Sequence, residues 1–114
     1  MATQPLVPAV TQGNLTTAYQ VVYTVPSTVE RAGVDAVVFN NYSGLKAKFS
    51  VRIVQSGAGD VLSEVITDKE IRAGFNDLAP AMIGQALNSG AEIQVKSDKN
   101  NAINMTMTVT TITV

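Results

Sequence analysis

The sequence predicts an all-β fold, a two-sheet antiparallel β-sandwich or jelly-roll-like domain of six to seven strands. Two observations lead to this fold class. From Tyr19 onward, stretches of alternating apolar and polar residues recur, and a period of two is typical of strands with one buried and one wetted face. Turn-forming residues separate these stretches, as they do in sandwiches and small barrels.

The composition fits one small domain that shares surface with other subunits. The chain has 114 residues, 46% of them hydrophobic and 15% charged, whereas about a quarter of residues are charged in an average soluble domain. We therefore expect a homo-oligomer. The net charge of −1 predicts no nucleic-acid binding, and the sequence has no apolar run long enough for a membrane span and no secretory signal.

Residue types that carry out catalysis are scarce. The sequence contains no His, Cys or Trp, and a Ser or Thr nucleophile commonly needs His as its base. We therefore expect that the protein is not an enzyme and that it has no catalytic residue, no cofactor and no small-molecule substrate. The polar loop 97–101 offers oxygen ligands, but Lys99 lies among them and the spacing matches no EF-hand, so we expect no metal site.

Residues 1–18 are predicted to form an extended N-terminal arm in front of a β-sandwich domain at 19–114. Pro5 and Pro8 fix the backbone near extended geometry and lack N–H donors, which suits neither a helix nor a central strand. Two interpretations stay open. The arm is either a frayed terminus or a tether that adds strand hydrogen bonds along a neighbouring subunit.

The first strands of the domain are separated by clear breaks. Residues 19–25 alternate until Pro26 ends the strand, and the run 34–39, apolar apart from Asp35, suits a strand buried on both sides. Residues 40–44, Asn-Asn-Tyr-Ser-Gly, predict a hairpin loop because Asn and Gly tolerate positive φ.

The strand at 46–53 has the clearest alternation in the sequence. One of its faces is apolar and belongs to the predicted core, and the other is basic. A solvated outer face is one interpretation of the basic residues, and a contact with an acidic neighbouring subunit is the other. These residues are Lys46, Lys48 and Arg52.

A short strand at 61–66 leads to residues 67–88, which allow two interpretations. A capping-box-like start and apolar residues at helical spacing favour a short helix, whereas Gly74 and Pro80 favour an irregular crossover between sheets. Beyond them, strands are predicted at 91–95 and from 103 onward. The apolar residues at helical spacing are Ile71, Phe75, Leu78 and Met82.

Three motifs follow one another in this chain: Tyr-Thr-Val-Pro at 23–26, Asn-x-Ser-Gly at 41–44 and Leu-x-x-Gly at 87–90. Their order, over roughly residues 19–114, resembles that in the small β-sandwich virion proteins of tailed bacteriophages. Ala91-Glu92 stands where that family usually continues with Gly-Asp, so the last motif is a partial match.

The resemblance implies a non-enzymatic structural protein of the virion, made in the host cytoplasm and most simply a capsid decoration (cement) protein. Its expected partners are the major capsid protein or other virion subunits, together with copies of itself. Two alternatives are a neck or tail accessory protein that contacts portal or tail subunits, and a carbohydrate-binding adsorption module. For the latter, three Tyr, three Phe and no Trp offer little aromatic surface.

The implied mode of binding places the arm against the capsid protein. Apolar arm residues would be buried at the joints between shell subunits, and the basic strand face would add a weaker electrostatic attraction. The expected arm contacts are Leu6, Val7, Val10 and Leu15, and the expected basic contacts are Lys46, Lys48 and Arg52.

Overall fold

Two antiparallel sheets pack face to face in the computed structural model, which describes residues 2–6, 10–12, 14–55 and 62–113. The predicted β-sandwich is confirmed. A single turn of 3-10 helix lies at Pro80–Met82. The strands of the described residues are β1 (Ala2–Leu6), β2 (Val10–Gln12), β3 (Gln20–Thr24), β4 (Arg31–Asn41), β5 (Ala47–Val54), β6 (Leu62–Ile71), β7 (Asn76–Asp77), β8 (Ala86–Asn88), β9 (Glu92–Ser97) and β10 (Ile103–Thr113).

The strand order is that of a jelly roll. In the first sheet, called sheet A, β1 and β2 share one edge, followed by β10, β4 and then β7 and β8, which share the other edge. The second sheet, called sheet B, has the order β3, β9, β5, β6. Apart from β5 and β6, which pair within sheet B, successive strand positions alternate between the sheets, which gives two sheets of four strand positions each, as in jelly rolls. The sequence predicts fewer strands because β7 and β8 are too short to show alternation.

The core lies between the sheets and is held at its centre by two aromatic rings. Phe39 of β4 and Phe49 of β5 stack across the two sheets, with ring centroids 4.2 Å apart and ring planes at 23°. Both side chains are at most 1% exposed. β10 adds a row of fully buried residues: Ile103, Met105, Met107 and Val109.

A β-bulge at Asp35 resets the alternation of β4. Against β10, the register of β4 shifts between Val34 and Ala36, so Asp35 is the extra residue. Val34 and Val37 therefore both face the core, while Asp35 and Ala36 are exposed. The prediction that the run 34–39 is buried on both sides is wrong. The strand has one buried face before the bulge and one after it, and the bulge shifts the alternation so that the sequence shows a nearly continuous apolar run.

The turn after β4 is shaped by the side chain of Asn41. This side chain is fully buried, and its Nδ2 donates to the carbonyls of Leu45 and Ile71, both at 2.9 Å. Its Oδ1 accepts from the N–H of Ser43 at 3.0 Å and from the Ser43 hydroxyl at 2.7 Å. The predicted hairpin with positive φ is wrong: β4 and β5 lie in different sheets, and residues 40–44 have no positive φ.

Residues 67–88 form the irregular crossover and not the short helix. β6 continues to Ile71, and the chain then passes through β7, the 3-10 turn and β8. The apolar residues at helical spacing do not share a face, because Phe75 and Leu78 are 53% and 66% exposed whereas Met82 is buried. Residues 78–85, called the arch, pass the edge of β4, where the N–H of Gly84 donates to the Val34 carbonyl at 3.0 Å.

The described strands of the N-terminal arm, β1 and β2, lie along the protein's own sheet A. β1 pairs with the last part of β10 and β2 with its first half. Leu15 follows, with 0% exposure, and its N–H donates to the Ile103 carbonyl at 2.9 Å. Leu15 therefore packs in the domain core and is not available as an arm contact. The division of the chain at residue 18 stays a prediction.

Candidate interaction surfaces

The outer faces of the two sheets differ in charge. On β4 and β10, the charged residues of the sheet A face are Arg31 and Asp35, and threonines occupy alternate positions of β10. The outer face of sheet B carries charges of both signs on β5, β6 and β9. These charged residues include Lys48, Arg52, Glu64, Glu70, Glu92 and Lys96.

Tyr19 is fixed on the sheet B face by a cluster of polar residues. Its hydroxyl donates to the Glu64 carboxylate at 3.0 Å. The Arg52 guanidinium lies 3.9 Å from the ring centroid, and the Lys96 ammonium lies 4.9 Å from it. Arg52 Nε also donates to Gln94 Oε1 at 2.6 Å. This arrangement, called the Tyr19 cluster, pins the start of β3 to β5, β6 and β9.

We expect the Tyr19 cluster to show in the alkaline titration. Burial, then the hydrogen bond to Glu64 and the charge of Glu64, raise the pKa of Tyr19. Because the folded-state pKa is raised, the stability that neutral Tyr19 contributes is present below the ordinary tyrosine pKa and is lost as pH rises through the folded pKa. Glu64→Gln should therefore move the ionisation of Tyr19 to lower pH.

Ultraviolet difference titration of each protein against its Tyr19→Phe counterpart isolates this one tyrosine. Glu70→Gln removes a carboxylate from the same strand without touching Tyr19, and should leave the titration unchanged. An ionisation that is equal in Glu64→Gln and in the parent protein would contradict the role of Glu64.

The three predicted basic contacts do not act as one patch. Lys46 lies 3.7 Å from Glu70 in an exposed ion pair, and Arg52 belongs to the Tyr19 cluster. Within the described ranges, the Lys48 side chain makes no ion pair. Of the three side chains, Lys46 is in an ion pair and Arg52 is held by Tyr19 and Gln94, which leaves Lys48 the most available for a contact with a partner.

The polar loop 97–101 is a structural turn. Asp98 Oδ1 accepts from the Lys48 N–H at 2.8 Å, and its Oδ2 accepts from the Lys99 ammonium at 3.4 Å. Burial raises the pKa of Asp98, but these hydrogen bonds outweigh it and hold the pKa below its usual value. Among the residues whose placement is described, no group of three or more His, Cys, Asp or Glu side chains could hold a metal ion.

An apolar groove runs between the outer face of β4 and the arch. Its volume is about 340 Å³. Leu78 and Ile83 on its rim are 66% and 44% exposed. The sequence does not reveal this groove, because the helical spacing includes Leu78 but gives no place to Ile83, and the groove depends on how the arch lies against β4. The groove is lined by Asp35, Ala36, Val38, Leu78, Pro80 and Ile83, among others.

The aromatic side chains of the described ranges do not form a row on one sheet face. The Tyr19 ring is overlaid by two cations, and Phe75 lies in the crossover beneath the guanidinium of Arg72, 4.5 Å from its ring centroid. Tyr42 lies in the turn after β4. A carbohydrate-binding surface needs open rings on which sugars stack, so this arrangement does not favour that alternative.

The jelly-roll strand order defines the structural class, and solved structures share it. A structure of infectious bursal disease virus, strain Gx, aligns with a TM-score of 0.60 at 12% identity, over 96% of this chain and 32% of that chain. The T13 particle of the same virus aligns with a TM-score of 0.58 at 9% identity, over 94% of this chain and 29% of that chain. The VP2 subviral particle of this virus aligns with a TM-score of 0.54 at 9% identity, over 96% of this chain and 32% of that chain.

This chain spans about a third of the length of those viral chains, and the likeness at such identity is one of fold. The sequence matches no family model and no curated protein. The assignment to tailed bacteriophages stays a prediction. Within the described residues, no helix is long and apolar enough to span a membrane.

Proposed function

We propose that this protein is a non-enzymatic structural component of a virion, bound to the shell as a decoration (cement) protein. The observation that supports the proposal is the jelly-roll strand order, which aligns over 96% of the chain with part of the chains of a viral particle. The sequence motifs point to the same class independently. A domain without His or Cys, with one nearly uncharged sheet face, is suited to act through contacts.

The proposed shell contact is the edge of sheet A formed by β1 and β2. An edge strand presents backbone N–H and C=O groups that a neighbouring chain can pair with. Leu6 and Val10 belong to these strands, although their side chains, and all of Val7, lie outside the described residues. Apolar side chains here would be buried at joints between shell subunits, and Lys48 would add a weaker attraction.

Charged substitutions in the arm test this contact. We expect Leu6→Asp and Val7→Asp each to weaken binding to particles by about tenfold or more, because burying one such apolar side chain contributes about 1.5–3 kcal/mol. Co-sedimentation of the purified variants with particles that lack the protein measures this. Leu45→Asp, at a position 66% exposed in the turn after β4, is the control and should bind normally. Normal binding by both arm variants would remove the arm from the proposal.

The number of copies of this protein per virion distinguishes a decoration protein of the shell from a neck or tail protein. Quantitative mass spectrometry of purified virions should find this protein in numbers comparable with the shell subunit, as a decoration protein requires. A copy number that fits a single ring would favour the neck or tail alternative, since closed rings hold few subunits. Absence of the protein from purified virions would refute a structural role in the virion.

A further inference from the structure

We propose that two copies of this protein pair face to face through the outer surface of sheet A. This surface, called the A face, consists of the outward residues of β4 and β10 together with the apolar groove beside the arch. The pairing concerns the isolated protein and does not depend on binding to a virion.

The charge distribution favours a second copy as the occupant of the A face. The centre of this face is formed by Ala36 and Val38 on β4, opposite Thr108 and Thr106 on β10. None of these side chains has a charge, so a copy that stacks on its like meets no like charges there. The outer face of sheet B carries charged groups that stacking would strip of water at a cost. Charged residues are likewise depleted at the centres of known interfaces.

The two long strands of the A face supply a substantial part of the area that a dimer needs. β4 and β10 have 11 residues each, which at about 3.4 Å per residue gives a length of about 37 Å. These two strands, about 4.8 Å apart, give a width of about 10 Å and therefore roughly 350 Å², to which side-chain relief, the short edge strands and the groove beside the arch add. A stable interface takes about 800 Å² from each partner.

The apolar groove supplies the driving force. Leu78 and Ile83 both lie at the groove and together expose an apolar area to water. Stacking a second sheet over them removes this apolar area from water. Among the residues that line the groove, Asp35 is the one carboxylate. It accepts a hydrogen bond from the Thr110 hydroxyl, so one of its oxygens already has a partner within the chain.

Sedimentation equilibrium of the full chain, without particles, tests the pairing. The parent protein should sediment at twice the monomer mass. Thr106→Lys should raise the dimer dissociation constant by about tenfold or more, because an ammonium group would lose water without gaining a partner. Thr24→Lys is the matched control: Thr24 is also an exposed strand threonine, but on the outer face of sheet B. Asp35→Asn should tighten the dimer, because it removes a carboxylate that pairing would bury.

A second measurement does not depend on the effect of a new charge. Because the sequence has no cysteine, Thr106→Cys and Thr24→Cys each introduce a single thiol. A short bifunctional thiol reagent should cross-link the first variant into covalent dimers and leave the second without cross-links. A parent protein that stays monomeric would overturn the proposal, and so would an assembly larger than two copies, since a like-with-like contact closes at two. Equal effects at Thr106 and Thr24 would also overturn it.

Discussion

Replacing Phe49 by alanine should produce the largest loss of stability among single substitutions in this protein, about 3–5 kcal/mol in the free energy of unfolding. Phe49 is 1% exposed and stacks on Phe39 with ring centroids 4.2 Å apart. Alanine leaves a cavity at the point where the two sheets meet, and the opposing ring loses its partner. Urea-induced unfolding, followed by circular dichroism, measures the change.

Phe75→Ala provides the matched control, because it removes the same ring from a site that is 53% exposed. We expect a loss below about 1 kcal/mol there, in line with substitutions at the surface. A double-mutant cycle with Phe39→Leu and Phe49→Leu should in addition show a coupling of about 0.5–1.5 kcal/mol between the rings. Equal losses for Phe49→Ala and Phe75→Ala would show that the stacked pair does not hold the sheets together.

Asn41→Asp should be the second most damaging change, although it alters hardly any volume. The carboxylate cannot donate, so the carbonyls of Leu45 and Ile71 lose the two hydrogen bonds that they receive from Asn41 Nδ2. A buried polar group that loses its partner costs about 1–3 kcal/mol, which applies to the Ile71 carbonyl. The Leu45 carbonyl still accepts from the Ser43 hydroxyl at 2.8 Å. The new charge is also buried, since Asn41 is 0% exposed.

The neighbouring residue supplies the control for this substitution. Asn40 lies on the outward side of the same strand and is half-buried, so Asn40→Asp makes the same chemical change on the other face. Its effect on the free energy of unfolding, measured by urea denaturation, should be under about 1 kcal/mol. If the two variants unfold at the same urea concentration, the hydrogen bonds of Asn41 do not stabilise the crossing from sheet A to sheet B.

The sequence predicted the features of the fold that depend on burial of one strand face. Residues 46–53 alternate clearly because β5 lies in the middle of sheet B with one face on the core. β7 and β8 were missed because two or three residues cannot show a period. The bulge at Asp35 was missed because it leaves an unbroken apolar run, and the helical spacing in 67–88 arose from residues that the structure places in unrelated surroundings.

The surfaces were harder to predict than the strands, because they are assembled from distant parts of the chain. Tyr19 meets Glu64, which lies 45 positions further along, and no local pattern announces such a contact. Leu15 was grouped with the arm by its position in a segment without periodicity, yet its backbone joins the loop before β10 and its side chain enters the core. Both outcomes follow from tertiary packing and not from local preference.

The position of β10 has a consequence for how the protein is made. In sheet A this strand lies between the β1 and β2 edge and β4, yet it is the last described strand to leave the ribosome. In sheet B, β3 likewise pairs with β9, which is made much later. Neither sheet can close until β9 and β10 have been made, so the early strands need protection from aggregation until then.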